Sequence, residues 1–402
     1  MKFILVALNA ASDHPVDRLE GKTPLEVAKL PNLSFLAKTG KVGQAKPLED
    51  LYETSPEAAF CSLLGYEPKQ YYRGPGPLEA ANAEVKMEPN EVAFRMNFVT
   101  EYNGVLMDPA AGNLTTKEAR ALLTFLNKKL ASDFARFFVG SRHRHVAVLK
   151  DSLGFKAFSA RTWPAEEAVG KPIASFLPKG PGEELLKKLM YDARLLLQDH
   201  EINQVRLDLK ENPANMIWLS GQGPAPVLDK FSDRFGVSAA LVAGIEYAKG
   251  FGRLAGLTLM ETTGATGGLD TNYERKGKAL LEALQEKDFV CVHVRACEEA
   301  SRSGDLRAKI DALEAVDEHI LSRVKEFYEK NHETRVLVAS TETFSSAMRR
   351  PVRDAVPFVL AGKNVMPDET ERMTEQAAKA SPFHAGKKTE LIQLLLSRKE
   401  KI

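Results

Sequence analysis

The sequence predicts a doubly wound α/β fold with a mostly parallel sheet and a smaller α+β domain inserted into it. Three observations carry this. Short apolar runs recur at residues 3–8, 216–219, 239–243, 257–260, 289–294, 336–339 and 358–360, the signature of buried parallel strands. Helical patterns at 273–284, 306–328 and 390–396 separate many of them, and strand–helix alternation builds a layered α/β sheet. The middle of the chain breaks this rhythm, with extended segments at 92–100, 105–108 and 145–150 around one helix at 116–130. The expected boundaries are residues 1–88 and 200–402 for the core and 89–199 for the insertion. Gly/Pro-rich stretches at 74–77 and 178–182 are plausible junctions.

Composition narrows the function classes. The chain has 402 residues, 44% hydrophobic and 27% charged, which suffices for a large core and a second domain. A net charge of +1 provides no global field for nucleic acid or an anionic membrane, so neither partner is expected. Three cysteines argue against a disulfide framework and for a reducing compartment. The opening apolar run reads as a first buried strand, not as a signal segment, and no stretch approaches the ~20 apolar residues of a membrane helix. The expectation is a cytoplasmic protein, with a homo-oligomer among its open options.

In an open α/β sheet, ligands meet the carboxyl ends of the strands. The loops after the first strand (Asn9 to Asp13), after 289–294 (Arg295 to Arg302) and after 336–339 (Ser340 to Thr343) should therefore converge. Several motifs nearby have modest content. Gly21-Lys22-Thr23 resembles the end of a phosphate loop, but Val16 stands where the leading glycine belongs and Pro24 follows. The turn from Thr263 to Gly268 is either structural or a cradle of backbone N–H groups for an anion. Cys291 and Cys297 fit no zinc spacing and read as buried thiols, and His293 reads as a core histidine. Arg142-His143-Arg144-His145 suits either a phosphate contact or a solvated strand entry. The strand-end loops bring carboxylates but no histidine beyond His14, and no G-x-S-x-G nucleophile is present. From the residues alone, this is a binding-competent α/β protein without a recognisable reaction centre.

A set of motifs in one order resembles the archaeal-type cofactor-independent phosphoglycerate mutases of the alkaline phosphatase superfamily. It comprises Gly21 to Lys29 with Pro31-Asn32-Leu33; Leu63-Leu64-Gly65-Tyr66-Glu67-Pro68 with Tyr71-Tyr72; and Val92 to Phe98. It continues with Pro213-Ala214-Asn215, Ile217-Trp218 and Gly221-Gln222-Gly223, then Lys249 to Gly256, and ends with Gly264 to Gly267 and Leu269-Asp270-Thr271. The resemblance implies an alkaline-phosphatase-like core with an inserted domain. It also implies interconversion of 3- and 2-phosphoglycerate by a serine nucleophile with two divalent metals, usually manganese.

Transferred residue by residue, the family's chemistry finds altered positions. The nucleophilic serine falls at Pro56, and its accompanying histidine at Phe60. The metal ligands fall at Asn9, Glu298, Arg302, Thr341, Glu342 and Pro351, and two family arginines fall at Pro75 and Pro224. Of these, Glu298 alone keeps the means to coordinate a cation. The resulting expectation is a non-catalytic homologue with a binding, regulatory or assembly role, no cofactor, and an active paralogue or a small phosphorylated metabolite as partner. Two alternatives stand beside it: an active mutase or phosphatase using a relocated metal site with Mn or Mg, and a purely structural subunit. Arg302 is expected to pair with Glu298 or Glu342, placing a guanidinium where a metal would sit. Asp13, Arg95, Asn97, Arg144 and Gln222 are the candidate contacts to a small anion.

Overall fold

In the computed structural model the described residues are 1–46, 55–112, 114–151 and 159–397. The chain divides into two compact units, Met1–Tyr72 with Leu228–Ile402, and Arg73–Val227. The second unit extends beyond the 89–199 segment at both ends. The long strand Glu91–Tyr102 pairs along its length with Met216–Pro224, and the helix Pro75–Asn82 belongs to the same unit. Sheet pairing with a distant segment leaves no local mark on a sequence, which is why those edges were not visible.

The first unit is an α/β layer structure. Its eight-stranded sheet runs His384–Ala385, Gly40–Ala45, Val356–Gly362, Thr334–Ser340, Lys2–Leu8, Phe289–Val294, Ala239–Val242, Thr258–Leu259. The strand Lys2–Leu8 lies at the centre, parallel to both neighbours, with Leu5 opposite Cys291 and Leu337. Its apolar side chains are buried on both faces, as a parallel strand covered by helices requires. Two expected parallel strands behave otherwise. Val356–Gly362 pairs antiparallel to Thr334–Ser340. The run at 216–219 lies in the other unit, antiparallel to Glu91–Tyr102. A short apolar run signals burial but not strand direction. Gly40–Ala45, sequence GKVGQA, was missed because it has no branched run; a Cβ on its Gly43 would lie 2.2 Å from the Phe383 carbonyl oxygen.

The helix expected at 306–328 is one continuous rod with a wide turn inside it. Leu306–Val316 passes through a π-helical segment, Asp317–Leu321, into Ser322–Lys330. There the Asp317 carboxylate accepts from the backbone N–H groups of Asn32 and Leu33, at 3.1 and 2.8 Å. It thus satisfies first-turn donors of the helix Pro31–Lys38 that otherwise lack partners. The phosphate-loop look-alike is a helix start: Thr23 caps Pro24–Val27 in a reciprocal capping box with Glu26.

The second unit is an antiparallel sheet, Val105–Asp108, Glu91–Tyr102, Arg144–Lys150 and Ala135–Ser141, joined by Met216–Pro224. One face packs Phe94, Met96 and Phe98 against the helices Thr116–Leu130 and Glu183–Leu197. The other carries Arg95 and Asn97, with Arg144 in register opposite Asn97. Pro75 and Pro224 lie where segments of this unit approach closely: a Cβ on Gly223 would stand 1.7 Å from the Arg73 carbonyl oxygen, and one on Gly221 would meet Pro75. Among the described residues, no helix is long and apolar enough to cross a membrane.

Candidate functional site

The strand-end loops of the first unit do converge. Asn9 follows Lys2–Leu8 directly, and Ala10 after it takes a left-handed backbone (φ 56°) that side-chain-bearing residues adopt at some cost. Outliers of this kind concentrate at functional sites. Thr341 follows Thr334–Ser340, and its N–H donates to the Leu8 carbonyl at 2.9 Å. Arg295 closes Phe289–Val294 and opens the helix Ala296–Ser303, which carries Glu298 and Arg302 one turn apart.

These side chains form one hydrogen-bonded cluster. Asn9 Nδ2 donates to the Tyr247 hydroxyl at 2.8 Å and lies 3.4 Å from Glu298 Oε2; Asn9 Oδ1 accepts from Thr341 Oγ1 at 3.2 Å and lies 2.9 Å from His293 Nε2. Glu298, 1% exposed, is gripped from two sides. Arg302 Nε is 2.7 Å from Oε1 and Arg295 Nε is 2.9 Å from Oε2. Burial alone would raise its pKa, but Arg295 and then Arg302 more than offset that and hold it down at about 2. The expected pairing of Arg302 with Glu298 is thus present, and the guanidinium also lies over the Phe344 ring, 5.4 Å from its centroid. Pro351 sits in the small hairpin opposite that Phe344.

Glu342 is the exception to this satisfaction. It is 3% exposed, and neither carboxyl oxygen has a hydrogen-bond partner among the described residues. Burial first, and the charge of Glu298 second, push its pKa up to about 8. Lys388 is also buried and donates to the Thr341 carbonyl at 2.5 Å; burial lowers its pKa to about 8 against the pull of Glu342.

Pro56 is the first residue of the helix Pro56–Leu63, where a proline's missing N–H does no harm. The residue before it was overlooked in the sequence. Ser55 caps this helix, accepting from Ala58 N at 3.1 Å, and its Oγ lies 3.0 Å from both Glu57 Oε2 and the Tyr72 hydroxyl. Ser-Pro-Glu is itself an N-cap signature that could have shown it. Phe60 is fully buried against His293, ring centroids 4.7 Å apart, and Tyr247 and Phe251. Glu57 raises the pKa of both Tyr247 and Glu342 after larger causes, and so belongs to the same electrostatic neighbourhood.

The remaining candidates divide. Asp13 is committed to the interior, 2.8 Å from the fully buried Lys309 Nζ, and it accepts from Ser346 N at 3.1 Å. In the second unit Arg95 pairs with Glu79 at 2.6 Å, and Gln222 accepts from Thr162 Oγ1 at 2.6 Å. Asn97 Oδ1 and Arg144 Nε are buried, without a hydrogen-bond partner among the described residues, on neighbouring strands. The glycine-rich turn is structural: Leu269 N donates to Glu299 at 2.6 Å, Thr266 N to Thr271 at 3.1 Å, and the Gly267 carbonyl accepts from Arg295. All three cysteines are free and buried.

His293 and His145 are buried neutral rings, their pKa values lowered by desolvation to about 3 and about 4. The unfolded chain therefore takes up protons below about pH 6.5 that the folded chain refuses, and stability falls as pH drops from there toward the folded values. Each loses up to about 1.4 kcal/mol per pH unit over that window. Urea titrations from pH 7 to 4.5 should show this slope reduced in His293→Gln and in His145→Gln.

Comparison with known proteins places this geometry. The family profile of 2,3-bisphosphoglycerate-independent phosphoglycerate mutase matches residues 37–203. The mutase of that name from Methanothrix thermoacetophila is 35% identical over 398 residues, covering 99% of this chain and all of that protein. Mutase 2 of Methanothermobacter thermautotrophicus is 35% identical over 397 residues, covering 98% and 97% of the two chains. Among solved structures, a Pyrococcus horikoshii protein superposes with a TM-score of 0.80 at 25% identity, covering 100% of this chain and 98% of that one. The cofactor-independent phosphoglycerate mutase of Thermoplasma acidophilum gives 0.62 at 26% identity, covering 98% and 99%. This end-to-end agreement with proteins named as mutases overturns the expectation of a non-catalytic homologue, which rested on individual positions and not on the chain as a whole. At 35% identity to mutases matched along nearly their whole length, the chain belongs to the 2,3-bisphosphoglycerate-independent phosphoglycerate mutase family.

Proposed function

We propose that this chain interconverts 3- and 2-phosphoglycerate. The observation that carries the reading is the match to curated mutases over 98–99% of the chain at 35% identity. Pro56 offers no hydroxyl, so the attacking group is assigned to its neighbour. Ser55 Oγ gives its proton to Glu57, 3.0 Å away, as it attacks the phosphorus of 3-phosphoglycerate. The 3-oxygen leaves and takes that proton from Glu57. The 2-hydroxyl then gives its proton to Glu57 as its oxygen attacks the phosphoserine phosphorus, and the released Ser55 oxygen takes the proton back.

The two divalent ions implied by the family resemblance do not fit the residues of the first-unit cluster. Asn9 and Thr341 are neutral and bonded to each other, Glu298 is saturated by guanidinium groups, and Arg302 itself is a cation. Among the described residues, no three His, Cys, Asp or Glu side chains form a group able to hold a metal. No step is therefore assigned to a metal.

The test is direct. Purified chain is incubated with 3-phosphoglycerate, and 2-phosphoglycerate is measured by an enolase-coupled assay, in chelator and in manganese. Formation of 2-phosphoglycerate is expected. Release of inorganic phosphate alone would identify a phosphatase, and no product in either buffer would overturn the proposal.

A further inference from the structure

We infer that Arg295 and Arg302 take over the charge-balancing role of divalent cations in the first-unit cluster, so that this centre assembles without a metal and rejects one. The argument begins from repulsion. Carboxylates about 4 Å apart oppose each other by about 4 kcal/mol at an effective dielectric near 20, and a metal-binding centre needs its ions to offset this. Here the offset is built into the chain. Both oxygens of Glu298 face guanidinium nitrogens within 2.9 Å, and Arg295 is further fixed by donation to the Gly267 carbonyl at 3.1 Å. Asn9 and Thr341 bring no charge, and their polar atoms bond to each other and to His293 and Tyr247. A divalent ion entering would have to displace Arg302 from Glu298, leaving that guanidinium against the ion.

Two features hold Arg302 in place although its side chain is partly exposed. Its partner is among the most buried acids of the described residues, and its guanidinium carbon lies 5.4 Å from the Phe344 ring centroid. The helix Ala296–Ser303 sets the spacing, because residues four apart face each other across one turn.

The experiment titrates Mn²⁺ alone into the purified full chain after dialysis against chelator, reading free Mn²⁺ by electron paramagnetic resonance and Tm in parallel. The expected result is no stoichiometric binding up to millimolar Mn²⁺ and a Tm unchanged by Mn²⁺ or chelator. Arg302→Met should lower Tm and confer Mn²⁺ binding that raises it again, whereas Arg302→Lys should keep most of the wild-type Tm. Wild-type binding of one or two Mn²⁺ per chain, abolished by Glu298→Gln, would overturn the inference. Binding that survives Glu298→Gln would place the ion elsewhere and leave the inference standing. If Arg302→Met does not fold, the wild-type titration decides alone. No substrate is present, so the outcome is separate from that of the mutase assay.

Discussion

Ser55→Ala is expected to lower mutase turnover by about 10⁶-fold, the loss seen when a hydrolase is deprived of its nucleophile. Its effect on folding should be small, because the lost cap to Ala58 costs only about 1 kcal/mol. The contrast between the two magnitudes is the discriminating feature. A residue that merely capped the helix would move stability and turnover together. Mass spectrometry after rapid quench should find the phosphoryl group on Ser55, and Glu57→Gln should slow its formation. A Ser55→Ala protein with full turnover would show that the attacking hydroxyl comes from elsewhere.

The largest effect on stability is expected from Lys309→Met. Lys309 and Asp13 are both fully buried in their side chains and 2.8 Å apart. Removing one member of such a pair leaves an unpaired charge in the interior, at a cost of about 3–5 kcal/mol. The remaining donors to Asp13, the backbone N–H groups of His14 and Ser346 and the Ser346 hydroxyl, soften this loss but do not replace the cation. Arg307→Met, two residues away in sequence but in an exposed pair with Asp311, should cost less than about 1 kcal/mol. Urea denaturation of the two variants under the same conditions measures the difference. Equal losses would mean that burial is not what gives the Lys309–Asp13 pair its strength.

The parts of this molecule that could be read in advance are those governed by local pattern. The central strands Lys2–Leu8 and Phe289–Val294 are uninterrupted apolar runs, and the helix Thr116–Leu130 has an apolar stripe and a Thr115–Glu118 capping box. The meeting of Asn9, Glu298 and Thr341 followed from the rule that strand ends share one edge. What escaped depends on distant segments meeting. Lys388 reaches Thr341 from the far C-terminal region, and Tyr247 reaches Asn9 from a separate helix, with no sequence spacing to announce either contact. The misreading of function had a similar origin. It treated each altered position as an isolated loss, whereas in the structure Thr341 bonds to Asn9 and both Arg295 and Arg302 pair with Glu298.

The division of the first unit into two chain segments has a consequence for how the molecule is made. Arg73–Val227 is contiguous and buries its own apolar cluster, so it is able to close while synthesis continues. The strand Lys2–Leu8, made before both its partners, must wait for Phe289–Val294 and Thr334–Ser340 before either edge is matched. Loops that long slow the pairing and prolong the exposure of an apolar ribbon to other nascent chains. The central strand thus stays unmatched until most of its sheet has been made, and Gly40–Ala45 waits longer still, for Val356–Gly362 and His384–Ala385.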